Sequence, residues 1–79
     1  MSFMFEVYYK APADRKREAN LADRVESFGG RLDYREEPDG SQGAVCLTFE
    51  FDQLDRAEAA AETLRQSGEH VEGPVDYGE

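Results

Sequence analysis

The sequence predicts an α+β domain in which a four-stranded antiparallel sheet carries two helices on one of its faces. Three observations predict it. Four segments alternate apolar and polar side chains with the period of a half-buried strand, and two segments between them repeat apolar residues at helical spacing. Turn and capping residues separate these segments in the order strand, helix, strand, strand, helix, strand. With right-handed crossovers, the compact solution for that order is a sheet arranged 4-1-3-2.

Residues 3 to 10 set Phe3, Phe5, Val7 and Tyr9 against Met4, Glu6, Tyr8 and Lys10, which makes the first strand. Ala11-Pro12-Ala13-Asp14 breaks it. Asp14 suits a helix cap, and Leu21, Val25 and Phe28 then recur at i, i+4 and i+7 as one apolar stripe. Gly29-Gly30 ends that helix. Arg31 to Glu36 reads as a short strand, with Leu32 and Tyr34 on one face and Arg31, Asp33 and Arg35 on the other. Pro38-Asp39-Gly40, inside the polar stretch from Glu37 to Gly43, turns the chain into a hairpin.

Ala44 to Phe51 is the clearest strand, with Val45, Leu47, Phe49 and Phe51 facing in and Ala44, Cys46, Thr48 and Glu50 facing out. Asp52 is expected to cap the second helix, with Asp55 near its positive end. Leu54, Ala57, Ala61 and Leu64 form its inward stripe, and Gly68 stops it. Residues 69 to 77 return as the last strand, Val71, Val75 and Tyr77 facing in. Gly73-Pro74 lacks a ladder donor there and so suits only an edge position.

This order resembles the ferredoxin-like α/β plait (βαββαβ) at the level of fold, over residues 1 to 79 as a single small α+β domain. Seventy-nine residues leave no room for a second core. The fold hosts many functions and identifies none of them. The first and third strands are expected at its centre, running parallel, with the starts of both helices at the same end of the sheet.

No apolar run approaches the roughly 20 residues of a spanning helix, and the start Met1-Ser2-Phe3-Met4-Phe5-Glu6 lacks a basic lead, so a soluble cytoplasmic protein with no membrane partner is expected. One cysteine, Cys46, cannot make an internal disulfide or a cysteine-based metal site. The net charge of −9 opposes nucleic acid binding, which depends on Lys and Arg. Residues 1 to 35 carry seven cations and six carboxylates, whereas residues 36 to 79 carry two and twelve, so only the C-terminal half is acidic. An acidic surface keeps a small protein soluble, and it could also dock on a basic partner.

The outward face of the central strands decides most functional questions. An RNA-recognition motif stacks bases on aromatics there, and this chain offers only Tyr8, beside Cys46, Thr48 and Glu50. The first loop, Lys10-Ala11-Pro12-Ala13-Asp14, has neither the CxxC of copper chaperones nor the glycine of a phosphate-wrapping acylphosphatase loop. Amino-acid-sensing domains of the ACT type share the element order, and that resemblance in topology implies an effector site near the first strand-helix loop. Cys46 and His70 are the only thiol and imidazole, and the first strand separates theirs by about 10 Å, too far for a nucleophile and base pair. The acidic hairpin loop lacks the ligand spacing of a calcium loop.

Two candidate sites follow. Met4, Tyr8, Cys46 and Thr48 form a mixed apolar patch suited to protein contact, the alternative being a solvated face. Arg15, Lys16 and Arg17 lie at the first helix's start, where cations oppose the helix dipole. They form a candidate anion or partner patch unless Asp52 and Asp55 compensate them. The expected function is a non-enzymatic module acting through protein contacts, with a homodimer as the simplest case and no cofactor or metal. The alternative is an ACT-like small-molecule sensor.

Overall fold

In a computed structural model that describes residues 2 to 76, the chain runs β1 (Phe3–Lys10), α1 (Arg15–Glu26), β2 (Arg31–Glu36), β3 (Ala44–Phe51), α2 (Leu54–Gln66) and β4 (His70–Asp76). The strands form one sheet in the order β2-β3-β1-β4, with every neighbouring pair antiparallel. Phe5, Val7, Leu47 and Phe49 of the sheet share one core cluster with Leu21 and Val25 of α1 and Ala57 and Leu64 of α2. Both helices therefore cover the same face. The fold is the ferredoxin-like βαββαβ plait.

The antiparallel β1–β3 pair corrects the expectation of parallel central strands. The crossover through α1 leaves β2 parallel to β1, and the hairpin then reverses β3. As a result, α1 starts at the end of the sheet where α2 finishes, and α2 starts at the opposite end. Asp52 and Asp55 thus lie far from Arg15, Lys16 and Arg17.

The core follows the sequence pattern closely. Phe5, Val7, Val25, Leu47, Phe49 and Leu64 are fully buried, and Phe28 packs against the cluster half-buried. The Phe5 ring lies 5.8 Å from Phe49 and 5.3 Å from Phe51, both tilted, a favoured range for aromatic pairs. Gly30 lets the α1–β2 turn pass beneath this aromatic group: a Cβ there would overlap the Phe51 ring and sit 2.6 Å from Val25 Cγ1.

Asp14 caps α1 as expected, accepting the Arg17 N–H at 3.0 Å. The second helix differs. Its cap is Gln53, which makes no side-chain cap bond, while Asp52 lies 3.6 Å from Arg31. Leu54, at the rim where α2 begins, is 42% exposed, and the inward stripe is instead Ala57, Ala60, Ala61 and Leu64.

Both edge strands depart from simple alternation. A bulge between Leu32 and Tyr34 shifts the register of β2, so Arg31, Tyr34 and Glu36 face away from the helices while Leu32 and Arg35 face toward them. The expected pairing of Leu32 with Tyr34 on one face is therefore overturned. On β4, Gly73 and Pro74 stand opposite Phe5 alone, and Gly73 takes a φ of 107°, where a Cβ would come 3.0 Å from the Met4 carbonyl oxygen. Only glycine accepts that conformation readily. This bulge turns Val75 outward beside Met4, 51% exposed, rather than into the core. Tyr77 lies outside the described residues.

Candidate functional site

The uncovered sheet face is organised in rows across the strands. Tyr8 stands opposite Cys46 on one side and His70 on the other, and Glu36 continues the row beyond Cys46. The next row is Tyr34, Thr48, Glu6 and Glu72, and the next holds Arg31, Glu50, Met4 and Val75. Three of the four expected patch residues, Met4, Tyr8 and Cys46, are half-buried by their neighbours, and Thr48 is buried. The patch is wider than the sequence reading gave, because the two bulges add Tyr34, 59% exposed, and Val75.

Side chains on this face are tied to one another. The Tyr8 hydroxyl donates to Glu6 Oε1 at 2.9 Å, and the His70 ring meets the Tyr8 ring edge-on at 5.8 Å while lying 3.1 Å from Glu72. The bond to Glu6 is the main reason the Tyr8 hydroxyl holds its proton well above the usual tyrosine range, because ionisation would set two anions side by side. Burial pushes the Cys46 thiol up as well, so it is not an activated thiolate. Arg31 reaches Glu50 at 3.0 Å. Cys46 and His70 lie on opposite sides of Tyr8, two strand spacings or about 10 Å apart. They cannot share a proton directly.

The cation cluster does not act as one patch. Arg15 and Lys16 are exposed, but Arg17 bonds Glu69 at 2.9 Å and lies 4.8 Å above the Tyr9 ring. Glu69 follows α2, which ends beside the start of α1, and supplies the compensation that had been expected of Asp52 and Asp55.

Beneath Arg17 lies a network that the sequence reading missed. Glu18 is buried on the inner side of α1 and accepts from the Tyr9 hydroxyl, from Arg35 Nε at 2.6 Å and from a second guanidinium nitrogen of Arg35 at 3.1 Å. The Tyr9 oxygen in turn accepts the Asp14 N–H at 2.7 Å. Arg35 chiefly holds the Glu18 carboxyl below the usual carboxylate range, while burial pulls the other way. One signal was legible: Glu18 falls three residues before Leu21, on the apolar stripe. These groups satisfy one another beside the first strand-helix loop, where an ACT-like effector would sit, and among the described residues no buried side-chain polar atom is left without a partner.

A depression of about 380 Å³ lies at the opposite end of the molecule, lined by polar residues such as Glu26, Asp52 and Arg56 around Phe28 and Phe51. Among the described residues there is no group of His, Cys, Asp and Glu placed to hold a metal ion, and no helix long and apolar enough to cross a membrane.

Fold and face together define a two-layer α/β plait with an open, mixed apolar and acidic sheet surface. No protein-family model matches the chain, and no curated protein sequence matches it.

Proposed function

We propose that the chain is a non-catalytic module that acts through protein contacts made by the open sheet face. The observation that carries this reading is the presence of Tyr34, Tyr8, Met4 and Val75 on the open face, with Val75 beside Met4 and with Tyr34 and Val75 more than half exposed. Aromatic and Met side chains within a polar rim are the composition of a protein interface rather than of a ligand pocket. The separation of Cys46 from His70 and the raised Cys46 proton affinity support the non-catalytic part. Net charge supports a protein partner over a nucleic acid.

Site-directed photo-crosslinking tests the reading. Benzoylphenylalanine in place of Tyr34, in cells that express the chain natively, should give a discrete protein adduct. The same group in place of Glu58, exposed on the helical side, should give none. Equal labelling at both positions, or none at position 34, overturns the proposal. So do amide shifts confined to residues 12–17 on adding amino acids or nucleotides, which would favour a sensor.

A further inference from the structure

We infer that the occupant of the open face is a second copy of this chain, related by a two-fold axis that runs parallel to the strands between β1 and β3. This inference rests on the protein-contact reading above and names its partner. Such an axis lays β3 over the partner's β1 and β2 over the partner's β4. The observed registers then decide which side chains meet. Glu36 faces the partner's His70, and Tyr34 faces the partner's Glu72. Thr48 faces the partner's Glu6, and Cys46 faces the partner's Tyr8.

Each carboxylate on the face then meets a donor or a neutral group, and none meets another carboxylate. That outcome is not trivial for an acidic face. A two-fold axis running across the strands through the Glu6 row would set Glu6 against its own copy and Glu72 against its own copy. Charge therefore favours the axis along the strands over that one, since like charges in contact cost affinity and matched ones fix register. Tyr34 and Thr48 gain acceptors for their hydroxyls, while Met4 and Val75 face the partner's Glu50 and Arg31, which already pair with each other.

The size of the face fits a weak pair. Four strands at about 4.8 Å spacing and about 27 Å length present about 500 Å² per copy, so two copies bury about 1,000 Å². That is the lower bound for a specific interface and implies an association set by concentration.

Sedimentation velocity of the full chain across a dilution series tests the inference. At about 100 μM the unmodified chain should sediment as a dimer and dissociate on dilution. His70→Glu sets two carboxylates face to face at both symmetric contacts and should weaken the dimer about tenfold or more. Adding Glu36→Lys should bring the dissociation constant back to within about threefold of the unmodified chain. Positions 36 and 70 are exposed, and circular dichroism shows whether each variant keeps its fold. A monomer at about 100 μM, or a double variant no tighter than His70→Glu alone, overturns the inference. If a position-34 adduct then has a mass other than twice the chain's, the partner is a foreign protein and the contact reading stands. If there is no such adduct, both fail.

Discussion

Arg35 grips Glu18 with two guanidinium nitrogens, at 2.6 and 3.1 Å, and so ties the edge strand β2 to the helix α1. A third contact, from Arg35 to Glu37 at 2.7 Å, fixes the same side chain to the start of the hairpin loop. The two-pronged geometry suits guanidinium and no other side chain. Arg35→Lys should therefore lower the urea midpoint nearly as much as Arg35→Met, while Glu18→Leu combined with Arg35→Met should recover part of the loss, because no charge is then left buried without a partner. A fully tolerated Arg35→Lys would contradict the assigned role.

The same pair sets a pH dependence. Glu18's folded pKa lies below its unfolded value of about 4.3, so its contribution to stability is complete above that value and is lost as pH falls through the folded pKa. Tyr9 is shifted up, chiefly by burial, so its contribution is complete below about pH 10 and is lost as pH rises through its folded pKa. The urea-midpoint difference between the unmodified chain and Glu18→Gln should stay constant from about pH 5 to 9 and shrink below about pH 4. A difference that grows on acidification contradicts the sign.

Phe49 is fully buried against Phe5. Phe49→Ala should cost about 3 to 5 kcal/mol. A domain of this size stands near the low end of about 5 to 15 kcal/mol, so the variant should be largely unfolded by thermal melting at physiological temperature. A cooperative melt close to that of the unmodified chain would contradict the packing.

How far the sequence could be read depended on local regularity. β1 and β3 alternate without interruption, so their faces and core residues followed from the period, and their central place followed from the element order. β2 and β4 each contain a bulge, and one inserted residue reverses every side chain beyond it. No local pattern signals where that happens, so Tyr34, Arg35 and Val75 were each assigned to the wrong face. Glu18 illustrates a different limit. Its place on the apolar stripe was visible, but its partner Arg35 became reachable only once the β2 bulge had turned that side chain inward. Asp52 had the right chemistry for a cap and lies one residue too early, since the helix begins after Gln53.

Gly30 tests the aromatic group from the other side. A methyl there overlaps the Phe51 ring and Val25, neither of which has free space to yield. Gly30→Ala should cost about 1 to 3 kcal/mol from overpacking. At Gly40 nothing lies within 4 Å, and only its φ of 74° opposes a side chain, so Gly40→Ala should cost about 1 kcal/mol. Urea denaturation that ranks Gly40→Ala above Gly30→Ala would contradict the close approach.

The last expectation concerns nucleic acid. Base stacking on a plait's open face needs aromatic rings free above the central strands, and phosphates need cations beside them. Tyr8 is the one aromatic on the open face of those strands, and its hydroxyl is held by Glu6 while its ring is flanked by His70. Glu50 has engaged Arg31, and Arg17, of the one cationic cluster, has engaged Glu69. A stacked base would have to break the Tyr8–Glu6 bond and bring a phosphate beside that carboxylate, against a net charge of −9. Fluorescence anisotropy with labelled single-stranded oligonucleotides should show no binding at about 10 μM protein in physiological salt. Salt-sensitive binding at that concentration, abolished by Tyr8→Ala, would show that the face stacks bases and would overturn the reading of it as a protein-contact surface.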